Sequence, residues 1–301
     1  MAERTFRSLQ WSDRELWYEY NGGIFLFAVV PPECWKEIEA FQARPTDICI
    51  ASPGRSGSHW MSRIINLLLG FDNPDFLNDP PLENLLISAV TDPNAPQRMG
   101  YHVVAEMPSD RPRVISTHVP ATHLPKSFWN TEGVKILFML RNPFDTCRSA
   151  FKLISNLVSG PMSFSSYLKF SLDEQKLGSC TLQSLTRSYW ERRHQKNLLF
   201  VYYEDLRENF RQTVTSVANF LEIPVSADQL DMIQERSSLR VMRAMEAKAQ
   251  TNEGTGVGTL INKGLINKAI TEYSEMDIAF VKSKIKEKLA DTDIRYVEDI
   301  M

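Results

Sequence analysis

The stretch Asp47 to Gly70, D-I-C-I-A-S-P-G-R-S-G-S-H-W-M-S-R-I-I-N-L-L-L-G, decides the fold. Ile48 to Ala51 is an apolar run typical of a buried strand, and Trp60 to Leu69 carries apolar residues at helical spacing. A tight loop with two glycines and small hydroxyl residues lies between them. A strand, a loop and a helix N-terminus in this order direct backbone N–H groups at one point, where the helix dipole also favours an anion. With the charge of Arg55, the stretch predicts a phosphate or sulfate cradle.

Two other interpretations of this loop stay open. Small residues are common in βα connections, so Pro53 to Ser58 could be a connection without a ligand. A P-loop nucleotide kinase requires G-x-x-x-x-G-K-[ST], but here Gly57 follows Gly54 by three residues and no lysine precedes Ser58. An ordinary ATP or GTP site is therefore disfavoured.

Length and composition limit the class of protein. The 301 residues, 43% of them apolar, predict a single domain over 1–301. The net charge of −3 provides no basic field, so no nucleic-acid partner is expected. The first ten residues lack the apolar core of a signal peptide, and Ile24 to Val30 is too short to span a bilayer. We therefore expect a cytoplasmic protein with no membrane partner. The four cysteines show no C-x-x-C pairing and are predicted to be reduced thiols.

Strands and helices alternate along the chain. The apolar patterns predict strands at 48–51, 114–117, 134–140 and 198–203, and helices at 60–69, 82–90, 143–157, 163–170, 182–196, 210–221, 227–236 and 276–289. This order predicts an α/β fold, with a central, mostly parallel sheet flanked by helices and a P-loop-like strand–loop–helix site. The continuously apolar strand 134–140 is predicted to be central. Asn142 and Pro143 are predicted as the N-cap and first residue of the next helix.

Two segments lie outside this alternation. Residues 1–46 are predicted to be an N-terminal approach segment whose aromatic residues either pack or form a substrate-side wall. Residues 72–112 are rich in Pro, Asn and Asp and are predicted to be long substrate-side loops around the short helix 82–90. In parallel sheets, ligands bind at the carboxyl ends of the strands. Pro53 to Ser58, His118, Arg141 and Tyr203 all fall at these ends.

With these residues in place, the chain resembles the cytosolic sulfotransferases, which transfer a sulfuryl group from 3'-phosphoadenosine 5'-phosphosulfate (PAPS) to an alcohol, phenol or amine. S-P-G-R-S-G-S-H-W is similar to the family's phosphosulfate loop Y-P-K-S-G-T-T-W, and S-T-H-V-P at 116–120 is similar to K-T-H-L-P. R-N-P-F-D-T-C-R-S at 141–149 resembles the 3'-phosphate segment, and V-Y-Y-E-D-L and L-A-D-T-D-I-R-Y follow the family pattern. The resemblance covers nearly the whole chain.

The resemblance implies a role for each matching position. His118 would be the general base, and Arg55 would replace the loop lysine at the reacting centre. The implied cofactor-binding residues are Arg55, Ser56, Gly57, Ser58, His59, Trp60, Arg141, Ser149, Tyr203, Ser237, Asn262, Lys263 and Gly264. From the residues alone, His118 could instead be structural, Trp60 and Tyr203 could be core residues, and Lys263 could be a solvated lysine.

The sequence departs from the family pattern at several of these positions. Arg55 stands for Lys, which trades a compact point charge for a planar fork. His59 and Ser116 stand where Thr and Lys are usual, and Leu239 replaces a Phe near adenine. The last motif, R-K-G-x-x-G-D-W-K in the family, is N-K-G-L-I-N-K here, with Asn262 in place of Arg.

The predicted reaction is sulfuryl transfer from PAPS, releasing 3'-phosphoadenosine 5'-phosphate (PAP), to a small and largely apolar phenol, steroid, other alcohol or amine. No metal is required, and His59, His102, His123 and His194 show no metal-ligand spacing. The alternatives are a PAP- or PAPS-binding protein of the same fold with little catalytic activity, and a P-loop nucleotide kinase. A monomer and a homodimer both stay open.

Overall fold

A parallel four-stranded sheet lies at the centre of the structure, a computed structural model that describes residues 17–26, 30–72, 81–84, 98–157, 161–253, 266 and 269–300. Its strands are β3 (Ile48–Ala51), β4 (Val114–Thr117), β5 (Lys135–Leu140) and β6 (Leu198–Tyr202), in the order β4-β3-β5-β6. All neighbouring pairs are parallel, so the carboxyl ends of the strands meet at one edge. Strands β1 (Trp17–Tyr20) and β2 (Gly23–Leu26) form a separate antiparallel hairpin.

Helices surround this sheet. In the described ranges they are α1 (Trp35–Ala40), α2 (Ser58–Leu68), α3 (Gly100–Glu106), α4 (Lys126–Asn130), α5 (Pro143–Leu157), α6 (Phe164–Ser171), α7 (Glu174–Leu177), α8 (Leu182–Trp190), α9 (Tyr203–Glu208), α10 (Phe210–Phe220), α11 (Ala227–Arg236), α12 (Leu239–Glu253), α13 (Glu275–Leu289) and α14 (Arg295–Ile300). No helix of these ranges is long and apolar enough to cross a bilayer.

The sheet is buried on both faces. Because successive strand residues point to opposite sides, Cys49 and Ala51 join one buried cluster while Ile48 and Ile50 join the other. The inner strand β5 is apolar on both faces for the same reason. The predicted α/β fold with a central parallel sheet is therefore confirmed.

The predicted strands and most predicted helices agree with the structure. Strands 48–51 and 114–117 match in full, and the other two differ by one residue. Helices 143–157 and 227–236 also match in full, while helix 60–69 begins two residues earlier, at Ser58. The prediction of Asn142 as a helix N-cap is confirmed, because its side-chain oxygen accepts the N–H of Phe144 at 2.9 Å.

Four predictions need correction or addition. The helix predicted over 182–196 ends at Trp190, because the following residues are almost all polar and offer no apolar face to pack. Part of the predicted 72–112 loop is α3, which buries Tyr101 and Val104 one turn apart. The described part of the approach segment contains the hairpin and α1, where Tyr18, Tyr20 and Trp35 pack and the rings of Tyr20 and Trp35 stack with centroids 4.7 Å apart. Residues 1–16 lie outside the described residues. Of the predicted helix 82–90, only 82–84 is described, and it forms a turn.

A buried ion pair joins the start of β3 to the start of β4. The Asp47 carboxylate accepts Arg113 Nε at 2.7 Å and also contacts the other end of the guanidinium. Both side chains are nearly inaccessible, at 0% and 3% exposed. Asp47 further accepts the backbone N–H of Arg44 at 2.7 Å, and Arg113 donates to the Val104 carbonyl at 3.1 Å. These bonds satisfy both charges and fix the register of the two strands.

We expect Asp47→Asn to lower the free energy of unfolding by about 3 kcal/mol, because it leaves the Arg113 charge buried without a carboxylate. Urea unfolding measures the change. The matched control is Asp231→Asn, which breaks an exposed pair with Arg211 and should cost less than about 1 kcal/mol. Equal losses of unfolding free energy in the two variants would contradict a special contribution of the buried Asp47–Arg113 pair.

Candidate active site

The loop between β3 and α2 adopts a conformation that glycine makes accessible. Gly57 is the N-cap of α2 with φ of 101°, in the left-handed region. A Cβ at Gly57 would lie 2.6 Å from the Tyr203 ring, well inside contact distance. Arg55 also has a positive φ, 74°, which is uncommon for a residue other than glycine. The loop is therefore wound tightly over the N-terminus of α2, where unpaired N–H groups favour an anion.

Arg141, at the carboxyl end of β5, holds this loop in place. Its Nη1 donates to the Arg55 carbonyl at 2.9 Å, and its guanidinium lies over the Tyr203 ring, 4.3 Å from the centroid. Glu204 accepts the N–H of Asn142 at 2.9 Å, which connects the ends of β5 and β6. The structure thus brings the predicted residues Arg55, Gly57, Arg141 and Tyr203 together.

The Arg55 side chain reaches α5. Its Nε donates to Ser149 Oγ at 3.1 Å. Burial and the neighbouring charge of Arg141 lower the pKa of Arg55 to about 10, while the carboxylate of Glu246 on α12 acts in the opposite direction. Arg55 therefore stays cationic at neutral pH. Two guanidinium groups near one loop produce a local positive potential although the whole chain is acidic.

The hydroxyl of Ser56 shows how the loop fits an anion. Ser56 is 1% exposed, and its Oγ has no hydrogen-bond partner among the residues that the structure describes. A buried hydroxyl without a partner is unfavourable, and a phosphate or sulfate oxygen placed in the loop would satisfy it. Ser58, also buried, begins α2 beside it. The loop residues therefore fit the phosphosulfate end of PAPS.

Aromatic side chains lie next to the loop. The rings of Trp60 and Tyr203 meet edge-on with centroids 5.6 Å apart, and Trp60 also contacts Phe210 at 6.1 Å. Ser237 follows α11, and its hydroxyl donates to the Ile233 carbonyl at 2.7 Å. Trp60 thus packs against two aromatic rings, and the Ser237 hydroxyl donates its hydrogen bond to the last turn of α11.

His118 follows β4 with a defined tautomer. Its Nδ1 lies 2.9 Å from the backbone carbonyl of Ser52, which can only accept, so Nδ1 carries the proton. Nε2 is therefore the atom that can take a proton from a ligand. The Glu83 carboxylate accepts the backbone N–H of His118 at 2.8 Å and the Thr117 hydroxyl at 2.7 Å. These bonds fix the backbone that carries the imidazole.

His59 is a second imidazole in the same place. It occupies the second position of α2, directly after the loop. Burial lowers its pKa to about 4, and the positive charge of Arg55 acts in the same direction. His59 is therefore neutral at physiological pH, and it can donate or accept a hydrogen bond without adding charge.

Some residues lie beyond the sequence predictions. Glu83 and Ser52, which orient His118, were not predicted. Ser52 could have been found as the polar residue directly after a buried strand, whereas Glu83 is one acidic residue in a proline-rich segment and gave no signal. Asn262, Lys263 and Gly264 lie outside the described residues. Within the described ranges, no group of three His, Cys, Asp or Glu side chains is arranged to hold a metal ion.

Most of the chain matches a known family model, described as Sulfotransferase domain, over residues 45–293. The chain belongs to the sulfotransferase domain family. It is 27% identical to Sulfotransferase 1B1 of Mus musculus over 285 residues, covering 88% of this chain and 90% of that protein. The fold is similar to that of mouse sulfotransferase SULT7A1 complexed with PAP, with a TM-score of 0.74, 22% identity and coverage of 95% and 97%. The fold is also similar to that of retinol dehydratase in complex with androsterone and inactive cofactor PAP. The TM-score is 0.74 and the identity 22%, and the match covers 88% of this chain and 87% of that one.

The family match confirms two predictions from the sequence, the family itself and the enzyme class, a PAPS-dependent sulfotransferase. The roles of single residues in this sulfotransferase stay predictions. The structure places Arg55 to Trp60, His118, Arg141, Ser149 and Tyr203 around the loop at the carboxyl ends of the strands.

We expect the protein to lose stability as the pH falls from about 6.5 to about 4. In this window the unfolded imidazole of His59 binds a proton and the folded one does not, so acid favours the unfolded state. Burial also lowers the pKa of His123, so this histidine likewise makes the folded protein less stable in acid. In His59→Asn, the difference in unfolding free energy between pH 7 and pH 5 should shrink by about 1–2 kcal/mol.

Urea unfolding at the two pH values measures this difference. His194→Asn, at an exposed histidine, is the control and should keep the wild-type pH dependence. A His59→Asn protein with that same dependence would show that the imidazole is not buried beside Arg55.

Proposed function

We propose that this sulfotransferase transfers the sulfuryl group of PAPS to a hydroxyl or amine of a small, largely apolar acceptor, with His118 as general base. The observation that carries the proposal is the hydrogen bond from His118 Nδ1 to the Ser52 carbonyl at 2.9 Å. It leaves Nε2 as the proton acceptor, and Ser52 is the residue from which the anion-binding loop departs. This hydrogen bond thus holds the imidazole that follows β4 next to the loop that follows β3.

On the donor side, the loop amides, the Ser56 hydroxyl and Arg55 would hold the phosphosulfate. Trp60, Tyr203 and Ser237 would contact the adenosine, and Arg141 with Ser149 would hold the 3'-phosphate. Asn262, Lys263 and Gly264 are proposed for the same group from the sequence alone. The hydrogen bond from Arg55 to Ser149 supports this assignment, because it brings a residue proposed for the phosphosulfate next to one proposed for the 3'-phosphate.

On the acceptor side, His118 Nε2 takes the proton as the acceptor oxygen forms its bond to sulfur. The sulfur–oxygen bond to the 5'-phosphate breaks, and its electron pair stays on that phosphate. Arg55 offsets the negative charge that develops there. By analogy with phosphoryl transfer, catalysis depends mainly on in-line positioning and charge stabilisation.

Segment 98–112, predicted to lie on the substrate side, supports a small apolar acceptor, because its residues Met99, Tyr101 and Val104 belong to the apolar core. The similar structure of retinol dehydratase contains androsterone, a small steroid, which supports an acceptor of this class. A cytoplasmic location, in keeping with a soluble small-molecule acceptor, is part of the proposal.

We expect PAP to bind and raise the melting temperature, and PAPS to be converted to PAP when a suitable phenol, steroid, alcohol or amine is present. A ligand at a hundredfold excess over its Kd adds about 2.7 kcal/mol of stability. The control ligand is ATP, which should not shift the melting temperature. A shift with ATP alone would favour a nucleotide kinase, and PAP binding without turnover across the panel would favour a binding protein.

We expect His118→Asn to lower kcat by about 10²- to 10⁴-fold while leaving the Kd of PAP nearly unchanged, because the imidazole acts on the acceptor. Calorimetry with PAP and initial rates at saturating PAPS separate the two quantities. His194→Asn is the control and should behave like the wild type. Normal turnover by His118→Asn would require another group as the base.

A further inference from the structure

Asp72 joins two guanidinium groups, that of Arg63 in α2 and that of Arg236 at the end of α11. One carboxylate oxygen accepts Arg63 Nη2, and the other accepts Arg236 Nη1 at 2.5 Å. Arg63 also donates from Nε to the backbone carbonyl of Arg236 at 3.4 Å. The Arg63 side chain is 1% exposed, whereas those of Asp72 and Arg236 are 47% and 51% exposed. The three residues, termed the Asp72 clamp, therefore run from the interior to the surface.

The clamp is a strong constraint because the Arg63 guanidinium is buried. A buried guanidinium needs a carboxylate and hydrogen-bond acceptors to offset its lost hydration. The hydrogen bond from Arg63 holds the pKa of Asp72 below its ordinary value, and the charges of Arg63 and Arg236 act in the same direction. The Arg236 carbonyl lies at the C-terminal end of α11, where the helix dipole favours a cation.

The clamp connects two elements that carry predicted adenosine contacts. Arg63 lies in α2 one turn after Trp60, whose ring packs against Tyr203 and Phe210. Arg236 is the last residue of α11, and Ser237 follows it directly. The hydroxyl of Ser237 donates to the Ile233 carbonyl, so the position of Ser237 follows that of the end of α11. The clamp thus links α2, which carries Trp60, to the end of α11, next to Ser237.

We propose that Arg63, Asp72 and Arg236 are positioning residues that set the separation between Trp60 and Ser237 and thereby the fit of the adenosine moiety of PAPS. This inference rests on the proposed function. The contacts described for the clamp join α2 to the end of α11. Their loss should therefore affect recognition of the nucleoside more than recognition of the anion.

The test compares PAP with inorganic pyrophosphate, which has no adenosine. In Asp72→Asn, we expect the Kd of PAP to rise about three- to tenfold, while the pyrophosphate Kd and kcat at saturating PAPS stay close to the wild-type values. Arg236→Gln, which keeps the buried contact between Arg63 and Asp72, should give a smaller change in the same direction. Asp231→Asn, an exposed aspartate of α11 paired with Arg211, is the matched control and should change neither Kd.

A merely structural role would lower the melting temperature of Asp72→Asn without changing the ratio of the two Kd values. That result, or an equal rise in both Kd values, would overturn the inference. If the wild-type protein bound pyrophosphate but not PAP, the proposed function itself would fail, and the clamp would then have no adenosine to position.

Discussion

The hydrogen bond from Arg141 to the Arg55 carbonyl is the contact on which the site depends. It ties the end of β5 to the anion-binding loop, and the Tyr203 ring beneath the guanidinium ties both to the end of β6. This contact supports the positive φ of Arg55, a conformation that is uncommon for a residue with a side chain. The two positive charges then attract an anion in a chain whose net charge is negative.

Much of the fold could be predicted because its strands are short, apolar and separated by turn residues. β3 and β4 were predicted to the residue, and the Asn142 N-cap followed from the Asn-Pro pair. The place of His118 and Arg141 also followed, since parallel strands present their carboxyl ends together. The pairing of His118 with Ser52 and Glu83 could not be predicted, because it depends on contacts between residues distant in sequence.

The missed elements have physical reasons. The β1–β2 hairpin has a turn at Asn21-Gly22, both with positive φ, and this Asn-Gly signal between aromatic residues could have predicted it. Helix α12 is mostly polar, and the burial of Met242 and Glu246 comes from tertiary packing that the sequence pattern does not reveal. The helix predicted over 182–196 was too long because helical propensity alone does not sustain a polar stretch.

The most direct test of the cradle is a calorimetric titration of PAP against Gly57→Ala, with circular dichroism to establish that the variant is folded. The added methyl would meet Tyr203 at 2.6 Å in a left-handed backbone conformation, so the loop must move. Gly54→Ala is the control, because no atom of the described part of the chain is found within 4 Å of its Cβ position. We expect Gly57→Ala to weaken PAP binding by at least about tenfold and Gly54→Ala to bind like the wild type. A folded Gly57→Ala protein with wild-type affinity for PAP would contradict the assignment of this loop as the phosphate-binding site.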